Sequence, residues 1–146
     1  MVDRPPDATA SPAVILVRLL VGSVFLSEGI QKFLFPAAVG AGRFAKIGLP
    51  VPDLLGPMVG GFEIACGTLV LLGLLTRAAV LPLIVIMLTA IVSTKLPILR
   101  SDGFWKMAHE ARTDWSMLLG SLFLLIVGAG PWSCDHWLSH RSPPPH

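Results

Sequence analysis

Four long apolar stretches constrain this chain more than any other feature of its sequence. A helix needs about 20 largely apolar residues to cross the hydrocarbon core of a bilayer. The stretches cover residues 13–35, 53–75, 76–96 and 113–130. The chain is 53% hydrophobic and 14% charged, whereas a soluble domain carries about 25% charged residues. These features predict an integral membrane protein of the all-α class, built as a bundle of four transmembrane helices.

The segments around the spans divide the chain into a membrane domain and two tails. Residues 13–137 are assigned to the membrane domain, and residues 1–12 and 138–146 are expected to be disordered. Loop one (36–52) and loop three (97–112) are predicted to hold short helices on the membrane surface, with plain coil as the alternative. Loop two is expected to be a tight turn between Gly73 and Arg77.

The distribution of basic residues predicts the orientation of the chain in the membrane. Loops that face the cytoplasm carry an excess of lysine and arginine. One side of the predicted bundle holds Arg4, Arg77 and Arg141. The other side, with loops one and three, holds six such residues: Arg43, Lys46, Lys95, Arg100, Lys106 and Arg112. We therefore expect both termini outside and loops one and three in the cytoplasm.

The most informative charged residues inside the predicted spans are Arg18, Glu28, Lys32 and Glu63. A charge near the bilayer centre costs at least about 2.5–3.5 kcal/mol, so such residues usually face the bundle interior and find partners there. Glu28 and Lys32 lie one helical turn apart on the same face, which predicts an ion pair. The second helix must run antiparallel to the first, and the resulting depths suggest that Arg18 stretches toward Glu63.

Glycines accompany these charges and predict where two helices meet. Gly22 and Gly29 share the helix face that carries Arg18 and Lys32, while Gly60, Gly61 and Gly67 surround Glu63 on the second span. Small residues let helix backbones approach closely within a membrane. All five glycines are therefore expected to serve helix packing.

The intramembrane charges admit two readings, and the spacing of the residues does not separate them. In the first, they form a polar pocket in which carboxylates share a proton and the basic groups donate to a quinone carbonyl or an anion. In the second, they form a buried ion-pair network that determines which helices pack together.

A second group of polar residues lies at the predicted membrane surface. It comprises Arg77, His109, Glu110, Arg112 and Asp114. Residues 109–113 do not form the zinc-binding motif HExxH, because the fifth position is Thr113. A solvated helix start and a site at the membrane surface both explain this group.

The sequence predicts neither a metal site nor an intrinsic cofactor. Cys134, His136 and His140 have ligand-type spacing, but their segment is short and three prolines follow it. The chain lacks a CxxC motif, a histidine pair within the spans and a glycine-rich phosphate loop. A net charge of +2 without a basic tract gives no support for nucleic-acid binding. Redox chemistry would therefore need a partner's cofactor or a diffusible one such as quinone.

Several segments resemble the DoxX family in their order and spacing. They are RLLVGSVFLSEGIQKF (18–33), GFEIACG (61–67), LLGLLTR (71–77) and GPWSCD (130–135). The resemblance covers residues 13–137 and implies a small four-helix protein of the bacterial cytoplasmic membrane. It also implies kinship with a membrane subunit of thiosulfate:quinone oxidoreductase. Many members have histidine before the glycine of the first helix, where this chain has Glu28, so a histidine-based role does not transfer.

The resemblance implies a subunit of a membrane oxidoreductase system that is non-catalytic or associated with quinone, in which the charged residues would hold the ligand or relay a proton. The resemblance connects such systems with thiol or thiosulfate chemistry and with oxidative stress. Expected partners are membrane lipid and a soluble or membrane-bound oxidoreductase, and a homo-oligomer stays open. Two alternatives also stay open: a scaffold that recruits soluble enzymes through loops one and three, and a conductor of protons or small molecules.

Overall fold

The computed structural model describes residues 11–139, and these residues form helices and short connections without any strand. The α-helices are Val14–Leu34 (α1), Pro36–Val39 (α2), Ala41–Lys46 (α3), Pro52–Leu72 (α4), Thr76–Ala90 (α5), Leu96–Asp102 (α6), Phe104–Val127 (α7) and Cys134–Ser139 (α8). A π-helical segment, Ile91–Lys95, joins α5 to α6 without a break. The predicted all-α class is confirmed.

Three helices of the described residues are long and apolar enough to cross a membrane: Val14–Leu34, Pro52–Leu72 and the continuous helix Thr76–Asp102. They correspond to the first three predicted spans. The last 18 residues of α7 include Glu110, Arg112 and Asp114, so this helix is less apolar than the other three. The count of four membrane crossings is therefore not confirmed.

The long helices pack side by side, with α1 against α4 and α5 against α7, and α4 and α5 also touch. We call the end where α1 stops, α4 starts and α6 meets α7 the cavity end. The opposite end, where a tight turn joins α4 to α5, is the turn end. Fully buried apolar side chains fill the bundle between the two ends: Val21, Phe25, Val70, Val80, Leu83 and Leu124.

Loop three differs from its prediction. Instead of a separate loop over 97–112, the third helix continues to Asp102 and α7 begins at Phe104. Gly103 makes the turn between them with φ +88°, a value that a side chain would strain. The fourth helix therefore begins nine residues before its predicted start at Thr113, because charged residues in its first turns face the bundle's interior cavity or water rather than lipid.

The other two loops follow their predictions more closely. Loop one contains the short helices α2 and α3, so plain coil is wrong for this segment. Loop two is a tight turn in which Gly73 has φ +67° and closes the end of α4.

The tails predicted as disordered lie mostly outside the described residues. Within them, α8 extends through Leu138 and Ser139, which the prediction had assigned to the C-terminal tail.

Candidate functional site

A buried ion pair joins α1 to α4 at the cavity end. The Nζ atom of Lys32 lies 2.7 Å from Oε2 of Glu63, and the two residues are only 9% and 2% exposed. Glu28, one turn before Lys32, is half-exposed and lies farther away, with its Oε2 atom 3.9 Å from Nζ. Lys32 therefore pairs mainly with Glu63 of the neighbouring helix, whereas the sequence predicted Glu28 as its partner.

Glycines bring α1 and α4 close enough for this pair to form. A methyl group at Gly29 would come within 2.7 Å of the Gly60 carbonyl oxygen, and one at Gly67 within 3.0 Å of the Gly22 carbonyl oxygen. Gly22 thus faces Gly67 and Gly29 faces Gly60 across an antiparallel contact. Gly61 differs from its prediction, because a methyl group there would meet no atom within 4 Å.

A second ion pair joins the π-helical segment to α7. Lys95 Nζ lies 3.1 Å from Asp114 Oδ2, and the two side chains are 10% and 20% exposed. Pro97 follows Lys95 by two positions. A proline lacks an N–H group and its ring crowds the carbonyl four residues earlier, here that of Ser93, which explains why the helix widens locally. The π-helical turn therefore sets the direction in which Lys95 points.

Both ion pairs lie in the wall of one cavity of about 700 Å³. Its wall also includes Glu28, Arg43 and Glu110, so seven ionisable side chains line the space. The remaining wall is mostly apolar and includes the side chains of Phe25, Phe44, Met58, Phe62, Ile86, Met87 and Met117. A cavity of about 300–1,000 Å³ that is largely apolar and has a few polar groups is typical of a site for a small molecule.

The cavity ends at the middle of the bundle. Its deepest lining residues on three helices are Val24, Pro82 and Met117. Beyond them, toward the turn end, lie Val21, Val80 and other fully buried apolar residues of the core. The described residues thus form a cavity with several charged wall residues and a mostly apolar floor, in which the buried hydroxyl of Ser121 is an exception.

Arg18 is not part of this cavity, and its expected pairing with Glu63 is wrong. Its guanidinium lies at the turn end, where Nε donates to the carbonyl of Val70 at 3.0 Å and Nη2 donates to that of Leu71 at 2.6 Å. Nη1 donates to the carbonyls of Ala129 and Trp132. The last carbonyls of a helix have no partner within the helix. Arg18 therefore caps α4 and connects it to the segment after α7.

The predicted surface group also divides between the two ends. Glu110 and Asp114 line the cavity, while His109 and Arg112 are exposed and contact each other, with 2.6 Å between Nη1 and Nε2. Arg77 lies at the turn end, where Nη2 donates to the Ile126 carbonyl at 3.0 Å.

Asp135 stabilises the turn end of the bundle. Its carboxylate accepts hydrogen bonds from the backbone N–H groups of Leu75, at 2.9 Å, and Thr76, at 3.4 Å. These groups begin α5, where a carboxylate satisfies unpaired donors and complements the helix dipole. The turn end is therefore held by charge-assisted caps.

Sequence reasoning missed Lys95 as a site residue and counted it only for orientation. The available signal was its position inside the third predicted span, two residues before a proline. Arg43 and Phe44 were assigned to loop one, and the fold of α3 is what places them over the cavity.

The described residues contain no group of three His, Cys, Asp or Glu side chains that could hold a metal ion. His140, one of the three residues with ligand-type spacing, lies outside the described part of the chain.

An all-helical chain with membrane-length apolar helices and a charged internal cavity is an integral membrane protein. The family model DoxX matches residues 13–96, so the chain belongs to the DoxX family. It is also 56% identical over 141 residues to an uncharacterized membrane protein of Mycobacterium tuberculosis, covering 92% of this chain and 86% of that relative. No solved structure matches the chain significantly. The family match includes Lys32, Glu63 and Lys95 and ends before Asp114.

Proposed function

We propose that this protein is a non-catalytic, quinone-associated subunit of an oxidoreductase system in the bacterial cytoplasmic membrane. The observation that carries the proposal is the cavity of about 700 Å³ with two buried lysine–carboxylate pairs in an otherwise apolar wall. A quinone fits the chemistry of this wall, because its ring is apolar and its two carbonyl oxygens accept hydrogen bonds. When bound, a quinone supplies reversible two-electron, two-proton redox chemistry.

The residues of the cavity would hold such a head group as follows. The ammonium groups of Lys32 and Lys95 are donors with no acceptor capacity, so they hydrogen-bond to carbonyl oxygens. Glu63 and Asp114 provide the counter-charges of these ammonium groups and hold them in the cavity wall. Phe25, Met87 and Met117 contact the ring and exclude water. Electrons would come from a partner, because we assign no redox group to this chain.

We also propose that α7 is the fourth membrane crossing and that the cavity end faces the cytoplasm. The segment after Asp114 is uncharged to the end of α7, and α7 packs along α5 for much of its length. The basic residues Arg43, Lys46, Arg100, Lys106 and Arg112 are all placed toward the cavity end, in accord with the excess of basic residues in cytoplasmic loops. On this basis both termini are outside.

The cavity's apolar floor argues against a conductor of protons or ions. A conducting path would have to continue through the layer that contains Val21, Val70, Val80, Leu83 and Leu124, and each of these side chains is fully buried. These side chains offer no group that carries a proton, and the buried hydroxyl of Ser121 in the same layer does not by itself form a chain of such groups. A binding site with a single polar end agrees better with this arrangement than a channel does.

The proposal is tested by purifying the tagged protein from its own membranes in mild detergent and measuring retained quinone by native mass spectrometry and solvent extraction. We expect near-stoichiometric quinone in the natural protein and its loss in Glu63→Gln and Asp114→Asn. Asp102→Asn is the matched control, because Asp102 pairs with Lys106 outside the cavity. A soluble enzyme bound without quinone would instead support the scaffold reading, and equal quinone in all variants would contradict the proposed site.

A further inference from the structure

We infer that the cavity is entered sideways, from the lipid phase between α4 and α5, by an amphiphile whose polar head meets the two ion pairs and whose apolar tail stays in the gap between these helices. This inference rests on the proposed function for the role of the site, but the entrance is argued from the packing of the helices. The ligand is therefore a molecule dissolved in the membrane that has a polar head and an apolar tail.

The packing of α4 and α5 is close only toward the turn end. The buried residues of α5 are Thr76, Ala79, Val80 and Leu83, all in its first half. The rest of α5 buries none of its residues, and the next buried side chain along this helix is Lys95. On the cavity side, α5 therefore leaves α4 partly uncovered.

Apart from Glu63, part of the cavity wall on α4 lies away from the face that packs against α1 and α3. In its first half, Gly56 and Gly60 lie against α3 and α1, where added methyl groups would meet Ala41 and Phe33 at 2.7 Å and 2.9 Å. Met58 and Phe62 point elsewhere and line the cavity. The contacts with α1 and α3 therefore do not close the side toward α5.

Residues on the two sides of this gap line the cavity and keep large accessible surfaces. Met58 is 44% exposed, Phe62 48% and Val85 61%, although all three are wall residues. Apart from Thr89, the exposed wall residues of α4 and α5 are apolar. They lie well inside helices of membrane-crossing length, at a depth where lipid tails surround the protein.

The end of the cavity is partly covered by loop one, although the wall residues Arg43 and Glu110 are exposed there. Val39, Phe44, Ile47 and Leu49 of loop one are each half-buried and form part of the wall. They place apolar side chains between the ion pairs and the water at the cavity end. A water-soluble ligand would have to pass this cover, whereas a lipid-soluble molecule reaches the ion pairs through an apolar gap.

Photolabelling in lipid nanodiscs tests the entrance with a probe that is not a quinone. The probe is a long-chain alkylphenol with a diazirine near the ring, dissolved in the bilayer, and labelled residues are located by peptide mass spectrometry. We expect labels on the inner wall, at Phe25, Glu63 or Met117, besides labels on the lipid-facing surface. Labels confined to the outer surface would overturn the inference.

Two tryptophan substitutions on α5 provide the matched comparison. Val85→Trp narrows the gap, and we expect it to remove the inner labels while the outer labels persist. Leu88→Trp adds the same side chain at a half-exposed position that does not line the cavity, and it should leave the inner labels unchanged. Unchanged inner labels in Val85→Trp would also overturn the inference. Helix content and elution volume identify any variant that misfolds, and Met58→Trp then replaces it.

The two proposals fail separately. Inner labels that depend on Val85, together with no retained quinone, would support the entrance and contradict the proposed function. Retained quinone that exchanges at the same rate in Val85→Trp and in the natural protein would support the proposed function and contradict the entrance.

Discussion

Lys32 of α1 and Glu63 of α4 form an ion pair of 2.7 Å that is almost completely removed from solvent. The pair forms where glycines let the two backbones approach most closely. Because each side chain neutralises the other, the structure can keep both charges inside an apolar bundle. Both residues also line the cavity, so packing and ligand binding depend on the same two residues.

Removing one member of this pair should destabilise the protein more than removing both. Lys32→Met leaves the Glu63 carboxylate buried without its main counter-charge, and breaking a buried pair in this way costs about 3–5 kcal/mol. The double variant Lys32→Met with Glu63→Gln should recover much of this loss. Unfolding in mixed micelles, followed by helix content, gives the free energies. A double variant as unstable as the sum of the two single variants would show that the residues do not act as a pair.

The close contact between α1 and α4 predicts different effects on stability for Gly29→Ala and Gly61→Ala. Gly29→Ala places a methyl group 2.7 Å from a carbonyl oxygen of α4, and overpacking of this kind costs about 1–3 kcal/mol. Gly61→Ala adds a methyl group to open space, so it should be neutral or slightly stabilising. The same unfolding measurement compares them, and equal destabilisation by both variants would contradict the packing described for α1 and α4.

Arg18 should not tolerate replacement by lysine. Its fork of N–H groups donates to carbonyls of four different residues, and a lysine offers a single compact donor group. Each hydrogen bond to a charged group contributes about 1.5–3 kcal/mol, so Arg18→Lys should lower the free energy of unfolding by at least that amount. The exposed Arg100→Lys is the matched control and should change it by less than about 0.5 kcal/mol. Similar stability of the two variants would argue against the capping role.

The π-helical turn predicts a link between Pro97 and the Lys95–Asp114 pair. Pro97→Ala restores the missing N–H group and removes the crowding that favours the wider turn. We expect the coupling between Lys95→Met and Asp114→Asn, about 0.5–3 kcal/mol for residues in contact, to fall when Pro97 is replaced. Double-mutant cycles with and without Pro97→Ala measure it. Unchanged coupling would mean that the turn does not orient Lys95.

Hydropathy located the first two spans and the start of the third within three residues, because long apolar runs leave little choice of structure in a membrane. The third helix continues six residues beyond its predicted end. It placed the start of the fourth helix too late. Glu110 and Asp114 lower the hydropathy of that segment, yet they face an internal cavity rather than lipid. A linear hydropathy profile carries no information about which neighbour a side chain faces.

The charged residues show a similar division between what sequence predicts and what it does not. That Arg18, Lys32 and Glu63 would need partners followed from the energetics of burial. The identity of the partners did not follow, because only opposite charges were considered for Arg18, whereas the structure supplies the carbonyls at the end of α4. For Lys32, the rotation of α4 about its axis brings Glu63 closer than Glu28 on its own helix, and spacing along one helix does not determine that rotation.

The measurement that tests the central claim most directly is a quinone titration of the protein in lipid nanodiscs, using a naphthoquinone with a short isoprenoid tail. We predict saturable binding of one quinone per chain, a large loss of affinity in Lys95→Met and Glu63→Gln, and no change in Asp102→Asn. Binding that does not saturate above the background of empty nanodiscs would contradict the claim. Saturable binding with equal affinity in all three variants would contradict the assignment of the cavity as its site.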